Sequence, residues 1–317
     1  MKSKGHTKLL FPAFLLLVII SCSKSKITQD VKPIPFPAHI APGSCNIGPD
    51  YGATIICAGY RGPNNDHKIK PKNNPGPGLY YAWPEGLVID HTTGEINITQ
   101  SESGARYIIG FVPQGGTDTC LKELIIGGVT YVDSVYVLSQ NDTLALPHFN
   151  ADPVPSSICD PSDDTDYPGN SGGNSGGNSG NGGGNDKCEF DDDEDDDNGN
   201  GIADEPPPGQ RANDQKVRVR TKNGVINLKK TLEDGAFGIN PQNGDRKQVT
   251  IYYRLNDCSS KALRKIKVDL IYYERKSDIP VTLLNEVSTK RTSFMETRII
   301  DPNGKPRPPQ IFVTRFN

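Results

Sequence analysis

A tract of glycine, asparagine and serine between residues 167 and 186 is the strongest constraint on how this chain can fold. The tract repeats Asn-Ser-Gly-Gly and contains almost no apolar side chain. Such a composition cannot bury enough apolar surface to offset the entropy lost on ordering, so the tract is predicted to be disordered. Folded structure is therefore expected on either side of it, in two domains that move independently.

Composition agrees with this division. Of 317 residues, 34% are hydrophobic, while glycine and proline number 33 and 26. These values fit two modest domains with unstructured connectors better than one large core. The net charge of -3 hides an uneven distribution, because residues 160–205 carry almost only negative charge and lysine and arginine dominate from residue 213 onward.

The beginning of the chain has the pattern of a secretory signal, since three lysines precede an apolar run over residues 9–20. The run ends in Ile19-Ile20-Ser21-Cys22, which resembles the lipobox of bacterial lipoproteins. The resemblance implies a signal peptide over residues 1–21, acylation of Cys22, a tether over residues 22–35 and anchoring in the outer membrane. The membrane would then be a partner through the lipid anchor. The alternative is an ordinary signal with an incidental cysteine.

A run of acidic residues from Asp191 to Glu205 follows the tract. Within it, oxygen donors recur at every second position and a glycine follows them, which is the spacing of a calcium loop. The predicted ligands are Asp196, Asn198, Asn200, the backbone carbonyl of Ile202, and Asp204. The pattern resembles thrombospondin type 3 and dockerin-like repeats, and it departs from an EF-hand because Pro207 stands at the twelfth position. A structural calcium ion is expected; the alternative is a solvated acidic spacer.

Cysteine usage indicates an exported, disulfide-bonded protein. Setting Cys22 aside leaves six disulfide candidates, which are Cys45, Cys57, Cys120, Cys159, Cys188 and Cys258. Six cysteines permit fifteen pairings that sequence cannot separate. Proximity along the chain favours Cys45 with Cys57, Cys120 with Cys159, and Cys188 with Cys258.

Residues 36–159 are predicted to form the first domain. Short runs rich in valine, isoleucine and tyrosine alternate there with turn residues, as in an all-β sandwich. The predicted strands are 53–58, 78–83, 94–99, 106–112, 121–126 and 129–138. The stretch from Trp83 to Ile96, followed by a strand start at Ser103-Gly104-Ala105-Arg106-Tyr107, resembles bacterial Ig-like and cadherin-like domains. The resemblance implies a β-sandwich and says little about activity.

Two side-chain groups in this domain have alternative interpretations. Asp90 is either a turn residue that bonds its own backbone, which we favour, or a calcium ligand. The aromatic residues Tyr80, Tyr81, Trp83 and Tyr107 form either part of the core, which we favour for Trp83, or a sugar-binding platform.

Residues 160–187 are predicted to be a flexible linker, residues 188–208 the calcium loop, and residues 209–317 a second antiparallel β domain. Its predicted strands are 217–221, 248–255, 266–273, 281–284, 297–300 and 311–316. Residues 227–237 fit either a short helix capped by Asn227 or another strand. Its basic side chains either form a patch for anionic glycans or lipid headgroups or only solubilise the domain; they are Arg218, Arg220, Lys229, Lys230, Arg264, Lys265, Lys267, Arg275, Lys290 and Arg291.

The predicted fold class is all-β, with two antiparallel sandwich-like domains. The five histidines show no catalytic or zinc-binding spacing, and paired carboxylates occur only in the acidic run, so no enzymatic activity is predicted. We predict a non-catalytic cell-envelope lipoprotein that acts in adhesion, scaffolding or ligand capture, with an envelope protein or glycan as partner and no nucleic acid. The alternative is a carbohydrate-binding accessory lipoprotein of a glycan-uptake system.

Overall fold

The computed structural model describes residues 48–59, 66–116, 119–153, 158–159, 167, 188–191, 209–299 and 308–317. The described residues all belong to one compact unit, Pro35–Asn317. The unit is mostly β. In chain order its strands are β1 (Ile55–Ile56), β2 (Lys68–Ile69), β3 (Gly78–Trp83), β4 (Ile96–Asn97), β5 (Ala105–Pro113), β6 (Cys120–Ile126), β7 (Val129–Thr130), β8 (Ser134–Val137), β9 (Leu144–Ala145), β10 (His148–Phe149), β11 (Cys188–Phe190), β12 (Ile226–Asn227), β13 (Arg246–Leu255), β14 (Arg264–Arg275) and β15 (Gln310–Phe316).

Two sheets dominate the unit. The first sheet has the order β1-β6-β5-β3, and the second has the order β11-β13-β14-β15-β8. Neighbouring strands are antiparallel except for three parallel pairs, which are β1 with β6, β14 with β15, and β15 with β8. Three two-stranded ladders complete the β structure, namely β2-β4, β7-β10 and β9-β12.

Each sheet has its own core because side chains alternate along its strands. On β5, Tyr107, Ile109 and Phe111 are fully buried in the first core. On β13 and β14, the residues Val249, Ile251 and Val268 point into the second core. That second core also contains residues that precede the glycine-rich tract, from Val129 to Cys159.

The sheets do not divide at the predicted domain boundary of residue 159. Strand β8 lies before that boundary, yet it pairs with β15 at the end of the chain, with Phe312 opposite Val135. Strand β9, also before it, pairs with β12. The residues on the two sides of the tract therefore share a sheet and a core.

The predicted disulfide pairs are wrong. Cys57 is bonded to Cys258, 201 residues away, and Cys159 is bonded to Cys188, 29 residues away. Cys120 is disulfide-bonded as well. The reason is that β1 and the turn after β13 meet in space, although they are far apart in sequence. One bridge thus joins the first sheet to the second, and the other joins the two ends of the tract.

Two α-helices occur, one where the sequence fits either a helix or a strand and one where it predicts strands. Helix α1 (Leu228–Glu233) begins after Asn227, whose side chain accepts a hydrogen bond from the Lys230 amide at 2.9 Å, so the helical alternative for this stretch is confirmed. Helix α2 (Val281–Thr297) includes residues 281–284 and 297, so the two strands predicted there are wrong. Its apolar side chains Leu284, Val287 and Phe294 lie at helical spacing.

The turn around Gly94, beside the first sheet, recurs 130 residues later around Gly224, beside the second sheet, whereas its bonding partners are displaced by other intervals. The parts of the molecule built on the first and on the second sheet are called its two halves below. In both copies a tight turn ends at a glycine with positive φ, which is +69° at Gly94 and +70° at Gly224. Each glycine amide donates to the carbonyl four residues before it, Asp90 in one copy and Arg220 in the other. Each glycine carbonyl accepts a tyrosine hydroxyl, from Tyr51 at 2.7 Å and from Tyr131 at 2.6 Å.

Hydrogen bonds around the turn recur pair by pair. In each bond below, the amide of the first residue donates to the carbonyl of the second. The bonds of the first and second copy correspond as follows: Asp90 to Glu95 and Arg220 to Val225; Asn97 to Val88 and Asn227 to Arg218; Ile98 to His67 and Leu228 to Thr143; Tyr80 to His91 and Phe190 to Thr221. The hydroxyls of Ser101 and Thr231 accept from equivalent amides, those of Val88 and Arg218. The two halves are thus built on one local plan.

Candidate functional site

A cavity of about 520 Å³ opens where the first sheet, the second sheet and α2 meet. Its walls are contributed by β5, β13 and β14, by α2 and the residue after it, and by two prolines that precede β15. Five of its lining side chains are positively charged and two are negatively charged, a formal surplus of three. They are Arg106, Lys265, Lys267, Lys290, Arg298, Glu102 and Asp133. We call it the basic cavity.

Arg106 lies in the wall of the basic cavity because of strand alternation. Its neighbours Tyr107 and Ile109 fill the first core, so Arg106 and Ile108 point to the opposite face of β5. Arg106 is only 8% exposed, and its guanidinium forms an ion pair with Glu123 on the neighbouring strand. The Nε of Arg106 is also buried and has no hydrogen-bond acceptor among the described residues. A buried donor without a partner costs about 1 to 3 kcal/mol.

The two lysines of β14 reach the basic cavity from the second sheet. Lys265 and Lys267 alternate with Ile266 and Val268, which pack on the second core. Both ammonium groups therefore lie on the face of the sheet opposite that core. Neither lysine forms an ion pair within the part of the chain that the structure describes.

Helix α2 contributes the remaining two cations. Lys290 contacts Glu286 at 3.0 Å on the same helix. Arg298 ends the helix in the left-handed region, with φ 60°, where its amide donates to the Phe294 carbonyl. Glycine adopts this conformation without strain, whereas a residue with Cβ does not. The isoleucine that follows, Ile299, packs against Trp83 and Ile108 on the outer face of the first sheet.

The two acids of the basic cavity have defined environments. Burial raises the pKa of Glu102 above its usual range, although the nearby Lys267 acts in the opposite direction. Asp133 accepts a hydrogen bond from the Gln310 amide at 2.8 Å, at the start of β15. Hydroxyl and amide side chains complete the lining at Ser103, Thr130 and Gln248. The arrangement can hold an anion next to hydroxyl groups of the same ligand.

Several predicted site residues lie outside the described part of the chain. They are Cys22, Cys45, Asp196, Asn198, Asn200, Ile202 and Asp204. Of the acidic run, Asp191 is described, and it is buried. Its carboxylate accepts hydrogen bonds from the amides of Ala212 and Asn213 and from the Asn213 side chain, at 2.7 to 2.8 Å. Burial outweighs these donors and raises the pKa of Asp191 to about 6.

Asp90 has the role in the turn that we favoured. Its Oδ1 accepts hydrogen bonds from the Thr92 hydroxyl and from the amides of Thr92 and Thr93, at 2.7 to 2.8 Å. These bonds lower the pKa of Asp90 to about 2. The carboxylate is thus used within its own turn.

The aromatic residues that were candidates for a sugar-binding platform are mainly part of the protein interior. Tyr80, Trp83 and Tyr107 are 3%, 7% and 0% exposed, which agrees with the core interpretation. Tyr81 is partly exposed and stacks near Trp83, with 6.3 Å between ring centroids. An aromatic surface for stacking a sugar is therefore not formed by these four residues.

The basic residues of the second half do not act as one patch. Arg218 and Lys230 are ion-paired with Asp234, and Lys229 lies 3.9 Å from Glu233. Lys265, Lys267 and Lys290 line the basic cavity. Arg106 and Arg298 were missed. The one sequence signal was an arginine inside the apolar strand Ala105–Pro113, where a buried charge needs a partner.

One cluster of metal-ligand side chains occurs among the described residues, formed by Cys57, Asp257 and Cys258. Its two sulfur atoms are joined in a disulfide, so neither is available as a thiolate ligand. This cluster therefore gives no thiolate metal site, and it has no relation to the predicted calcium ligands.

Within the described residues, no helix combines the length and the apolar character needed to cross a membrane. Neither a protein-family model, nor a curated protein, nor a solved structure matches this chain.

Proposed function

We propose that this protein is a non-catalytic lipoprotein of the cell envelope that captures a small ligand in the basic cavity. The observation that carries the proposal is the cavity itself, because it concentrates positive charge in a concave site of the size that small ligands occupy. Display and scaffolding alone require no such site. Its cations come from three separate places in the fold, which are β5, β14 and the C-terminal part of α2 with the residue after it.

The predicted export signal and the disulfides support an envelope location. Disulfides persist in oxidising compartments, and both bridges connect elements that are distant in the chain. The proposed lipid anchor at Cys22 would leave the β unit outside the membrane. Acyl chains on one residue give durable attachment when there are several of them.

We also propose that Asp196, Asn198, Asn200, Ile202 and Asp204 hold a structural calcium ion. Support comes from their spacing and from Asp191, which fixes the beginning of the acidic run to the second sheet at β11. Calorimetric titration of the full chain with calcium tests this proposal. Heat should appear near 0.1 to 1 mM calcium, the range of extracellular modules, and Asp196→Ala should remove it. Equal heat from both proteins would contradict the site.

Binding is favoured over catalysis because the lining of the basic cavity supplies positive charge. Its two carboxylates do not form a pair, as Asp133 is engaged with the Gln310 amide. The alternative function is a carbohydrate-binding accessory lipoprotein of a glycan-uptake system. The hydroxyl and amide side chains in the lining favour it. A glycan array on the full chain tests whether the captured ligand is a carbohydrate.

The lipoprotein proposal is tested by metabolic labelling with an alkyne-tagged fatty acid. The natural chain should incorporate label and fractionate with membranes, and Cys22→Ser should abolish both. A matched change of a cysteine outside the lipobox is unsuitable because the others are disulfide candidates, so Ser21→Ala serves as the control. Labelling that persists in Cys22→Ser, or its absence in the natural chain, would refute anchoring at this residue.

A further inference from the structure

We propose that the basic cavity binds the carboxylate of an acidic sugar, with the guanidinium groups of Arg106 and Arg298 as its principal contacts. The inference rests on the proposed function, since it names the ligand class that the same cavity captures.

Arg106 is the first reason for a carboxylate ligand. A planar guanidinium matches the two oxygens of a carboxylate, and Arg106 is held in place by Glu123 and by burial. Glu123 is engaged by one end of the guanidinium, while the buried Nε has no acceptor among the described residues. Burying a charged group without full hydrogen bonding is unfavourable, and an oxyanion bound near the guanidinium of Arg106 would offset part of that cost through its charge.

The backbone of Arg298 is the second and independent reason. Helices often end in a left-handed residue, and glycine is the residue that this position accepts without strain. Here an arginine occupies it at φ 60°. Strained positions of this kind are concentrated at binding and catalytic sites. Arg298 lines the basic cavity, is exposed, and forms no ion pair with any described residue, so its side chain is available to a ligand there.

The remaining lining explains why a sugar acid fits better than a bare ion. A volume of about 520 Å³ is far more than an inorganic anion needs, and it lies within the range for small organic ligands. The Ser103 hydroxyl, the Thr130 hydroxyl and the Gln248 amide offer partners for ligand hydroxyl groups. Pro84, Pro308 and Pro309 supply apolar ring faces for the C–H groups of a sugar. Lys265 and Lys267 add attraction for the negative charge.

The test is a calorimetric titration of the full chain with three probes, which are D-glucuronate, D-glucose and inorganic sulfate. Glucuronate and glucose share a ring and differ in charge at one carbon, so glucose is the matched neutral probe. We expect glucuronate to bind at least tenfold more tightly than glucose, because a charge-assisted hydrogen bond is worth about that factor. Sulfate should bind more weakly than glucuronate, and added salt should weaken both.

Arg298→Gly separates a binding role from a structural one. Glycine relieves the left-handed strain, so the variant should unfold at a higher temperature than the natural chain while its affinity for glucuronate falls about tenfold. Lys265→Gln should weaken binding by a smaller factor. Lys229→Gln is the control, because it removes one charge from an exposed lysine on α1 that lies outside the lining. It should leave affinity unchanged.

Three outcomes would overturn the proposal. The first is no measurable binding of glucuronate, and the second is equal binding of glucuronate and sulfate, which would indicate a site for an inorganic anion only. The third is unchanged glucuronate affinity in both Arg298→Gly and Lys265→Gln. A neutral glycan captured on the array would leave ligand capture standing although the acidic-sugar proposal had failed, so the two failures are distinguishable.

Discussion

The two halves of this protein share one turn and differ in what has been added around it. In the first half the turn at Gly94 rests on the ring of Tyr80, and in the second half the turn at Gly224 rests on the ring of Phe190. Tyrosine hydroxyls bond both glycine carbonyls at nearly the same distance. The backbone plan therefore tolerates different side chains, including Asp90 in one half and Arg220 in the other.

The additions all lie in the second half. The two sheets have the same strand order when β1, β6, β5 and β3 are matched with β8, β14, β13 and β11, except that β15 is inserted between β8 and β14. Helix α2 leads to this extra strand and brings Lys290 and Arg298 to the basic cavity. The first half contributes Arg106 from an unmodified strand. The shared plan thus provides the scaffold, while the elements particular to the second half create the candidate site.

Removal of the disulfide between the halves should have the largest effect. By the chain-entropy model, the 201-residue separation of Cys57 and Cys258 corresponds to about 5 kcal/mol, and the 29-residue separation of Cys159 and Cys188 to about 3.5 kcal/mol. We expect the double alanine variant of the first pair to lose more stability than that of the second. Urea unfolding followed by circular dichroism measures both, and a reversed order would show that the halves do not depend on the longer link.

Alanine at the two turn glycines should test whether the turns are equivalent. A Cβ would lie 2.6 Å from the Tyr80 ring at Gly94 and 2.6 Å from the Phe190 ring at Gly224, and both positions have positive φ. Each variant should therefore lose about 2 to 4 kcal/mol of unfolding free energy. Gly76→Ala is the control for strain alone, because its φ is +89° and no atom lies within 4 Å. Losses that differ strongly between Gly94 and Gly224 would contradict the equivalence.

Two aspartates should give opposite pH dependence. The pKa of Asp191 is raised to about 6, so its favourable contribution is complete below about pH 4 and is lost as pH rises through 6. The pKa of Asp90 is lowered to about 2, so its contribution is present above pH 4 and is lost as pH falls toward 2. The Asp191 effect should reach about 1 to 3 kcal/mol between pH 4 and 7.

Urea unfolding at several pH values measures this difference. Asp191→Asn should flatten the pH dependence between 4 and 7, apart from any constant loss of stability. Asp90→Asn should leave that interval unchanged and alter the profile only below pH 4. The assignment would be contradicted if the free energy of unfolding changed by the same amount between pH 4 and 7 in the natural chain and in Asp191→Asn.

Loss of the tyrosine hydroxyls should have the smallest effect. Tyr131 is fully buried and donates to Gly224, so Tyr131→Phe leaves that carbonyl without a partner and should cost about 1 to 2 kcal/mol. Tyr51 is 5% exposed and makes the equivalent bond, so Tyr51→Phe should cost about 1 kcal/mol. Thermal unfolding of the two variants provides the measurement. Equal stability of Tyr131→Phe and the natural chain would exclude a contribution from this bond.

Local pattern predicted the long strands well, because alternation along β3, β5, β13 and β14 is set by the cores that they cover. It failed for α2, where threonine and valine favour strands by propensity and only packing of Val287 and Phe294 selects a helix. The repeated turn escaped notice because the copies share few identical residues, among them Gly94 with Gly224 and Asn97 with Asn227.

Features that depend on contacts between distant residues could not be predicted from local sequence patterns. The disulfide pairs follow from how the strands assemble, and proximity along the chain chose wrongly. The basic cavity combines Arg106 with residues about 160 to 190 positions later, so no local pattern contains it. The sequence identifies the lysines of β14 as candidates on a solvent-exposed strand face. It does not indicate that the first sheet and α2 lie across from that face.

The bridge between Cys159 and Cys188, with 5.3 Å between their Cα atoms, changes what a break in the chain would do. A protease that cut anywhere from residue 160 to 187 would leave both fragments covalently attached, here and again through Cys57 and Cys258. The nicked protein would run as a single species on a gel until a reducing agent was added. A cut within the glycine-rich segment would thus leave the described β unit covalently in one piece.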